Sequence, residues 1–195
     1  MHLVKTVAVM NQKGGVGKTT TTANLGAALA ASGKATCLID LDPQCHLSLH
    51  LGAEDPPTTF DLLLEQITLD RLARKVSDRL FIAPASVDLA AIDLELADAP
   101  GREQRLRRQL TEHAPPVEVV LIDCPPSLGL LTLNALSAAD EVIIPLQPHF
   151  LALQGLGRLL ETVTLVQQRI NPSLTVTGVV LCMFERITRL ANEVV

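Results

Sequence analysis

The stretch Asn11-Gln12-Lys13-Gly14-Gly15-Val16-Gly17-Lys18-Thr19-Thr20 constrains this chain more than any other. It joins an apolar run, Val4 to Met10, to a small-residue run of helical character that begins near Gly17. A buried strand that passes through a glycine-rich turn directly into a helix has a physical use. Without Cβ atoms in the way, successive backbone N–H groups turn inward and cradle an anion. The helix that follows adds the positive end of its dipole. Lys18 is placed to reach the β- and γ-phosphates of a nucleotide and the Thr19 hydroxyl to hold Mg²⁺. Gly14, Gly15, Val16, Gly17 and Thr20 complete the expected cradle.

The loop departs from the ordinary P-loop pattern at one place. Gln12 stands where that pattern wants a glycine, and a second lysine, Lys13, stands beside it. Lys-Gly-Gly-x-Gly-Lys-Thr resembles the signature of the ParA/MinD family of P-loop ATPases, and within it the short Soj-type chromosome and plasmid partition ATPases. The resemblance implies that Lys13 crosses a dimer interface to the partner's nucleotide, so Lys13 joins Lys18 as a candidate catalytic and ATP-binding residue.

Composition narrows the function classes. Hydrophobic residues make up 48% of the 195, enough for one large core, and one domain over 1–195 is expected. Aromatics are 2%, with no Trp or Tyr, so stacking platforms for single-stranded nucleic acid are not expected. A net charge of -5 argues against a globally basic nucleic-acid binder. Cys37, Cys45, Cys124 and Cys182 are widely spaced, without a C-x-x-C pair or metal-spaced histidine, and read as reduced thiols. The chain shows neither a leader pattern nor a long apolar span, which suggests a soluble, cytoplasmic protein with no membrane partner.

Along the chain, apolar strands alternate with helical patterns. Val4 to Met10, Ala35 to Leu41, Arg79 to Ala83, Val117 to Ile122, Glu141 to Leu146 and Leu174 to Phe184 read as strands. Thr19 to Ser32 is a helix, with Gly26 between Leu25 and Leu29 allowing close approach to a sheet. A short helix capped by Thr59, a mixed-charge surface helix over Leu69 to Val76, and helices over Val87 to Ala97 and Gly101 to His113 are expected next. Arg102, Arg105, Arg107 and Arg108 on the last of these read as a solvated face, with a phosphate backbone or partner protein as the alternative. Leu128, Leu131 and Ala135 continue at helical spacing, and Leu156, Leu159, Leu160, Val163, Val166 and Ile170 mark the core stripe of a long helix. The alternation implies an α/β fold, a doubly wound and mostly parallel sheet with helices on both faces.

Two acidic sites stand at strand ends, where such sheets bind ligands. Asp40 and Asp42, two apart, are expected to share a side and face Mg²⁺ and its water shell. Asp123 ends another apolar strand, the place of the carboxylate that accompanies a P-loop metal, so Thr19, Asp40 and Asp123 are the candidate metal residues. Asp42-Pro43-Gln44 resembles the family's first switch, in which the matching aspartate positions the attacking water, and Asp123-Cys124-Pro125-Pro126 resembles its Walker B and second switch.

The resemblance covers nearly the whole chain, most strongly residues 4 to 52 and 117 to 184. It implies an ATP-sandwiched homodimer, slow ATP hydrolysis with Mg²⁺, stimulation by a ParB-like or other activator, and positioning of DNA or another cargo, with nucleoid association. Departures include Gln44-Cys45-His46, His149, and Ile187 flanked by Arg186 and Arg189 where relatives carry a DNA-binding arginine. Relatives also continue for another strand and further helices, so weak non-specific DNA binding and weak adenine selectivity are expected. A metabolic P-loop enzyme of the dethiobiotin-synthetase type and a non-hydrolysing nucleotide-binding module remain as alternatives; an iron-protein-like electron carrier lacks the paired cysteines it needs.

Overall fold

The structure is a computed structural model that describes residues 4–148 and 150–184, and the side chains of all of these but 150–154. Its strands are β1 (Lys5–Val9), β2 (Thr36–Asp40), β3 (Arg74–Ser77), β4 (Leu80–Ala83), β5 (Val119–Asp123), β6 (Glu141–Leu146) and β7 (Thr175–Leu181). Its helices are α1 (Lys18–Ala31), α2 (His46–His50), α3 (Thr59–Leu63), α4 (Leu69–Leu72), α5 (Ile92–Glu95), α6 (Arg105–Glu112), α7 (Leu130–Ala138) and α8 (Phe150–Arg169). Among the described residues the strands make one seven-stranded sheet, ordered β3-β4-β2-β5-β1-β6-β7. Every neighbouring pair is parallel except β3 with β4.

The central strands are apolar on both faces because both are covered. On one face Ala8, Cys37, Ile39, Val120 and Ile122 pack with Leu131 and Ala135 of α7 and Leu159 and Val163 of α8. On the other, Val7, Leu38 and Leu121 pack with Ala23 and Ala30 of α1. Side-chain alternation along each strand sorts successive residues between the two cores. Gly26 sets the depth of α1: a Cβ there would lie 2.5 Å from Leu38 Cδ2, and Leu38 is fully buried. Ala23, Gly26 and Ala30 are the buried face of α1, whereas Leu25 and Leu29 only flank it.

The middle of the chain differs from its sequence reading. Leu69 to Val76 is not one helix: α4 is a single turn, and Arg74 to Ser77 become the antiparallel edge strand β3. Alternating burial along Arg74-Lys75-Val76-Ser77 and the hydrogen bonds from Arg74 Nη2 to the Asp55 and Pro57 carbonyls favour the extended form. Thr58, not Thr59, caps α3, in a box where Asp61 accepts from the Thr58 N–H. Thr59 instead donates its hydroxyl to the Asp40 carbonyl at 2.8 Å. The two helices expected across 87–113 are shorter, each entered through a 3₁₀ turn, Val87–Ala91 before α5 and Arg102–Gln104 before α6.

The arginine cluster is structural rather than merely solvated. Arg102 donates to the Ala97 carbonyl at 2.9 Å, Arg105 to the Leu63 carbonyl at 3.0 Å, and Arg105 and Arg108 both pair with Glu65. Leu128 lies exposed before α7, and Leu160 is 40% exposed outside the buried stripe of Leu159, Val163 and Val166. Asn171 closes α8 from within the core, its amide donating to the Leu136 and Ala139 carbonyls. Arg186, Ile187, Arg189 and His149 lie outside the described residues.

Candidate functional site

The register of the central strands aligns their carboxyl ends. Val9 and Asp40 each stand opposite Asp123, so the loop after β1 and the acids ending β2 and β5 emerge side by side. Gly15 and Gly17 have φ of 72° and 93°, a left-handed backbone that suits glycine. Gly17 is also approached closely, since a Cβ there would sit 3.3 Å from Cys182 Sγ at the end of β7. The turn delivers Lys18 as the first residue of α1.

A cavity of about 540 Å³ opens above this loop. Gly14, Gly15, Gly17, Lys18, Thr19 and Thr20 line it, with Asp42 on another side. Val16 is fully buried behind the loop. Lys18 Nζ donates to the Lys13 carbonyl at 3.1 Å, and burial lowers its pKa against the opposing pull of Asp123 and Asp42. Its ammonium thus rests on the loop's own backbone, beneath the space a phosphate would take.

Asp123 is 1% exposed. Its Oδ1 accepts from Thr22 Oγ1 at 3.4 Å, while its Oδ2 has no partner. Burial pushes its pKa up to about 7; the Thr19 hydroxyl pulls against this, Asp40 and Asp42 add to it, and Lys18 pulls against it. A buried carboxylate oxygen without a partner is costly unless a ligand answers it. The residues therefore fit a hard cation held beside a polyphosphate by Thr19 and Asp123. Among the described residues no three His, Cys, Asp or Glu side chains gather to hold a metal by themselves.

Asp40 corrects the expectation of a metal-facing pair. Its Oδ1 accepts from the Asp42 N–H, and its Oδ2 accepts from both the N–H and the hydroxyl of Ser48, at 3.0, 3.0 and 2.7 Å. It does not line the cavity but ties α2 and the Asp42 turn to the end of β2. The carboxyl group is buried and its pKa is raised by desolvation, against those three hydrogen bonds. Asp42 does face the cavity, and its Oδ1 also accepts from the Gln44 N–H at 3.0 Å. The same turn that caps Asp42 therefore also sets it at the cavity wall.

Lys13 behaves unlike the rest of its loop. It is exposed, lies outside the cavity lining, and directs Nζ to Gln147 Oε1 at 3.4 Å. Other lining residues were not singled out for this site from sequence: His46 and His50 of α2, Asn24, Pro126 and Met183. A single signal, the i, i+4 spacing of the two histidines just after Asp42, was available for two of them. Cys124 is fully buried with its pKa raised by desolvation, and packs as an apolar residue. All four cysteines are free. No helix among the described residues is long and apolar enough to cross a membrane.

The chain is similar to known proteins along most of its length. A family model described as an AAA domain matches residues 4–176. The chain is 47% identical over 192 residues to the chromosome-partitioning ATPase Soj of Treponema pallidum, covering 98% of this chain and 76% of that protein. It is 44% identical over 195 residues to the sporulation initiation inhibitor protein Soj of Bacillus subtilis, covering 98% and 77%. A Mycobacterium smegmatis crystal structure described as cobyrinic acid a,c-diamide synthase with bound ADP and magnesium superposes with a TM-score of 0.93 at 40% identity, covering 98% of this chain and 80% of that one. By the family match over most of its length and these identities, the chain belongs to the ParA/Soj family of P-loop ATPases.

Proposed function

We propose that this chain binds MgATP in the cavity above the loop, pairs with a second copy across the nucleotide, and hydrolyses ATP slowly until an activator of the ParB kind accelerates it. The cycle positions DNA or another cargo. The observation that carries this reading is the division of the loop's two lysines, Lys18 turned into the cavity and Lys13 turned out of it. A lysine lining the cavity serves its own nucleotide, whereas one turned outward is free to reach a neighbour's.

In this reading the N–H groups of Gly14 to Thr20 hold the phosphates, and Lys18 exchanges the Lys13 carbonyl for phosphate oxygen. Thr19 and Asp123 hold Mg²⁺, which when bound neutralises polyphosphate charge. Asp42, fixed by Gln44 in front and Asp40 behind, orients the attacking water. Non-specific DNA contact and a cytoplasmic, nucleoid-associated location belong to that role.

The M. smegmatis likeness favours one second reading, a metabolic P-loop enzyme whose nucleotide serves a small-molecule substrate. The lysines separate the two. Lys18→Ala abolishes ATP binding in either case. Lys13→Ala leaves a nucleotide-bound monomer in the proposed cycle, because the lost charge acts only across the interface. Light scattering with MgATP reads this, and a Lys13→Ala protein that dimerises like wild type overturns the proposal.

A further inference from the structure

Where the β1–β6 ladder runs out, side chains continue it. The ladder's last backbone bond runs from the Met10 N–H to the Ile143 carbonyl at 3.1 Å. Beyond it, Asn11 Nδ2 donates to the Pro145 carbonyl at 2.7 Å, and Lys13 Nζ donates to Gln147 Oε1 at 3.4 Å. Each reaches the residue 134 positions further along. Asn11 is 4% exposed and uses both ends of its amide, since its Oδ1 accepts from the Lys13 N–H at 3.0 Å. The backbone that launches Lys13 is thus pinned to β6 by a buried side chain, and the lysine's tip rests on the same strand's extension.

We propose that Asn11 and Gln147 are positioning residues for Lys13. Asn11 fixes the direction in which Lys13 leaves the loop, and Gln147 parks its ammonium on its own subunit until a partner's phosphates draw it away. The inference rests on the reading that Lys13 serves a second copy. Parking requires a weak hold, and the contact is weak: a neutral acceptor, an exposed setting and a length near the upper limit for a hydrogen bond. A phosphate carrying full charge outcompetes it. Charge on the parking residue should therefore matter more than its size.

The test compares Gln147→Glu with Gln147→Met in the full chain, reading MgATP-dependent dimerisation by light scattering and monomer affinity with a fluorescent ADP. Glutamate turns the resting contact into an exposed ion pair and weakens dimerisation about two- to fivefold, an effect that fades as salt rises. Methionine, of similar length with no comparable acceptor, leaves dimerisation equal to wild type or tighter. ADP affinity is unchanged in both. Equal dimerisation of Gln147→Glu and wild type, or equal losses in the two variants, overturns the parking role. Asn11→Ala weakens dimerisation about tenfold with ADP affinity held, as expected for loss of a buried amide bridge; a parallel loss of ADP affinity overturns its specific role. If Lys13→Ala itself dimerises normally, the in-trans reading fails instead, so the two failures are distinguishable.

Discussion

The phosphate loop with its strand-end acids and the segment from Ala53 to His113 are built to different standards of completeness. In the loop region Asp123 keeps a buried oxygen without a partner, Lys18 makes do with a backbone carbonyl, and Lys13 holds a long, exposed contact. In the middle segment the charged groups close the fold on themselves. Thr58 and Asp61 cap α3, Arg102 and Arg105 bind carbonyls, and Glu65 takes two arginines, with Arg105 Nε the exception left unpartnered. The difference teaches where a ligand is owed. Arg105 Nε and Ser137 Oγ are buried without partners too, but of the open groups among the described residues only the Asp123 oxygen is a carboxylate beside the cavity loop, and it marks the place that a ligand completes.

The largest effect that sharpens this contrast is at Asp42. Asp42→Ala binds ATP but loses water positioning, costing on the order of 3 to 5 kcal/mol in barrier, or about 10²- to 10⁴-fold in rate. Single-turnover hydrolysis measures it, and equal rates for variant and wild type refute the assignment.

Asp123 comes next, because its raised pKa makes the free site unstable in a pH-dependent way. With a folded value of about 7 and an unfolded value near 3.9, the folded chain keeps a proton that the unfolded chain has lost. The group's contribution to stability therefore falls as pH rises through that window. Asp123→Asn is expected to stabilise the nucleotide-free protein at pH 8 by on the order of a few kcal/mol, with the gain disappearing toward pH 4. Thermal unfolding at both pH values checks the sign. A variant less stable than wild type at pH 8 would show that the open oxygen carries no such cost.

Arg105 tests the other side of the contrast. Arg105→Ala leaves the Leu63 carbonyl without its donor and removes one of Glu65's partners. It should cost about 1 to 3 kcal/mol in urea unfolding while nucleotide affinity stays within experimental scatter. A shift in affinity as large as the shift in stability breaks the division between the regions. Thr58→Ala is smaller, about 1 kcal/mol for a lost cap. The same variant at Thr59, expected from sequence as the cap, removes instead a buried hydroxyl bonded to the Asp40 carbonyl. Comparing the two by thermal unfolding tells a cap from a strand-end tie.

Fold and phosphate cradle were legible in the sequence because both depend on local pattern. Apolar runs such as Leu38-Ile39 and Leu121-Ile122 need cover on both sides wherever they lie, and Gly14-Gly15-Val16-Gly17-Lys18 needs only its own backbone to turn. Less was legible where a residue's duty is set by something distant in the chain. Asp40 and Asp42 look alike in sequence, and alternation predicts a shared direction. Ser48, brought back by α2, captures Asp40 and leaves Asp42 to face the cavity. Arg74 to Val76 fell within a helical pattern, yet the edge of β4 offered pairing to an extended form with alternating burial.

By itself, then, the sequence determined the parallel sheet, the order of its motifs and the chemistry of the loop, since glycine, lysine and β-branched runs act through local geometry. Tertiary structure alone decided which acid is free, which arginines are structural, and where the two lysines of one loop point. Those outcomes turn on partners 8, 42 and 134 residues away, Ser48 for Asp40, Leu63 for Arg105 and Gln147 for Lys13, which meet only when the sheet brings its strand ends together.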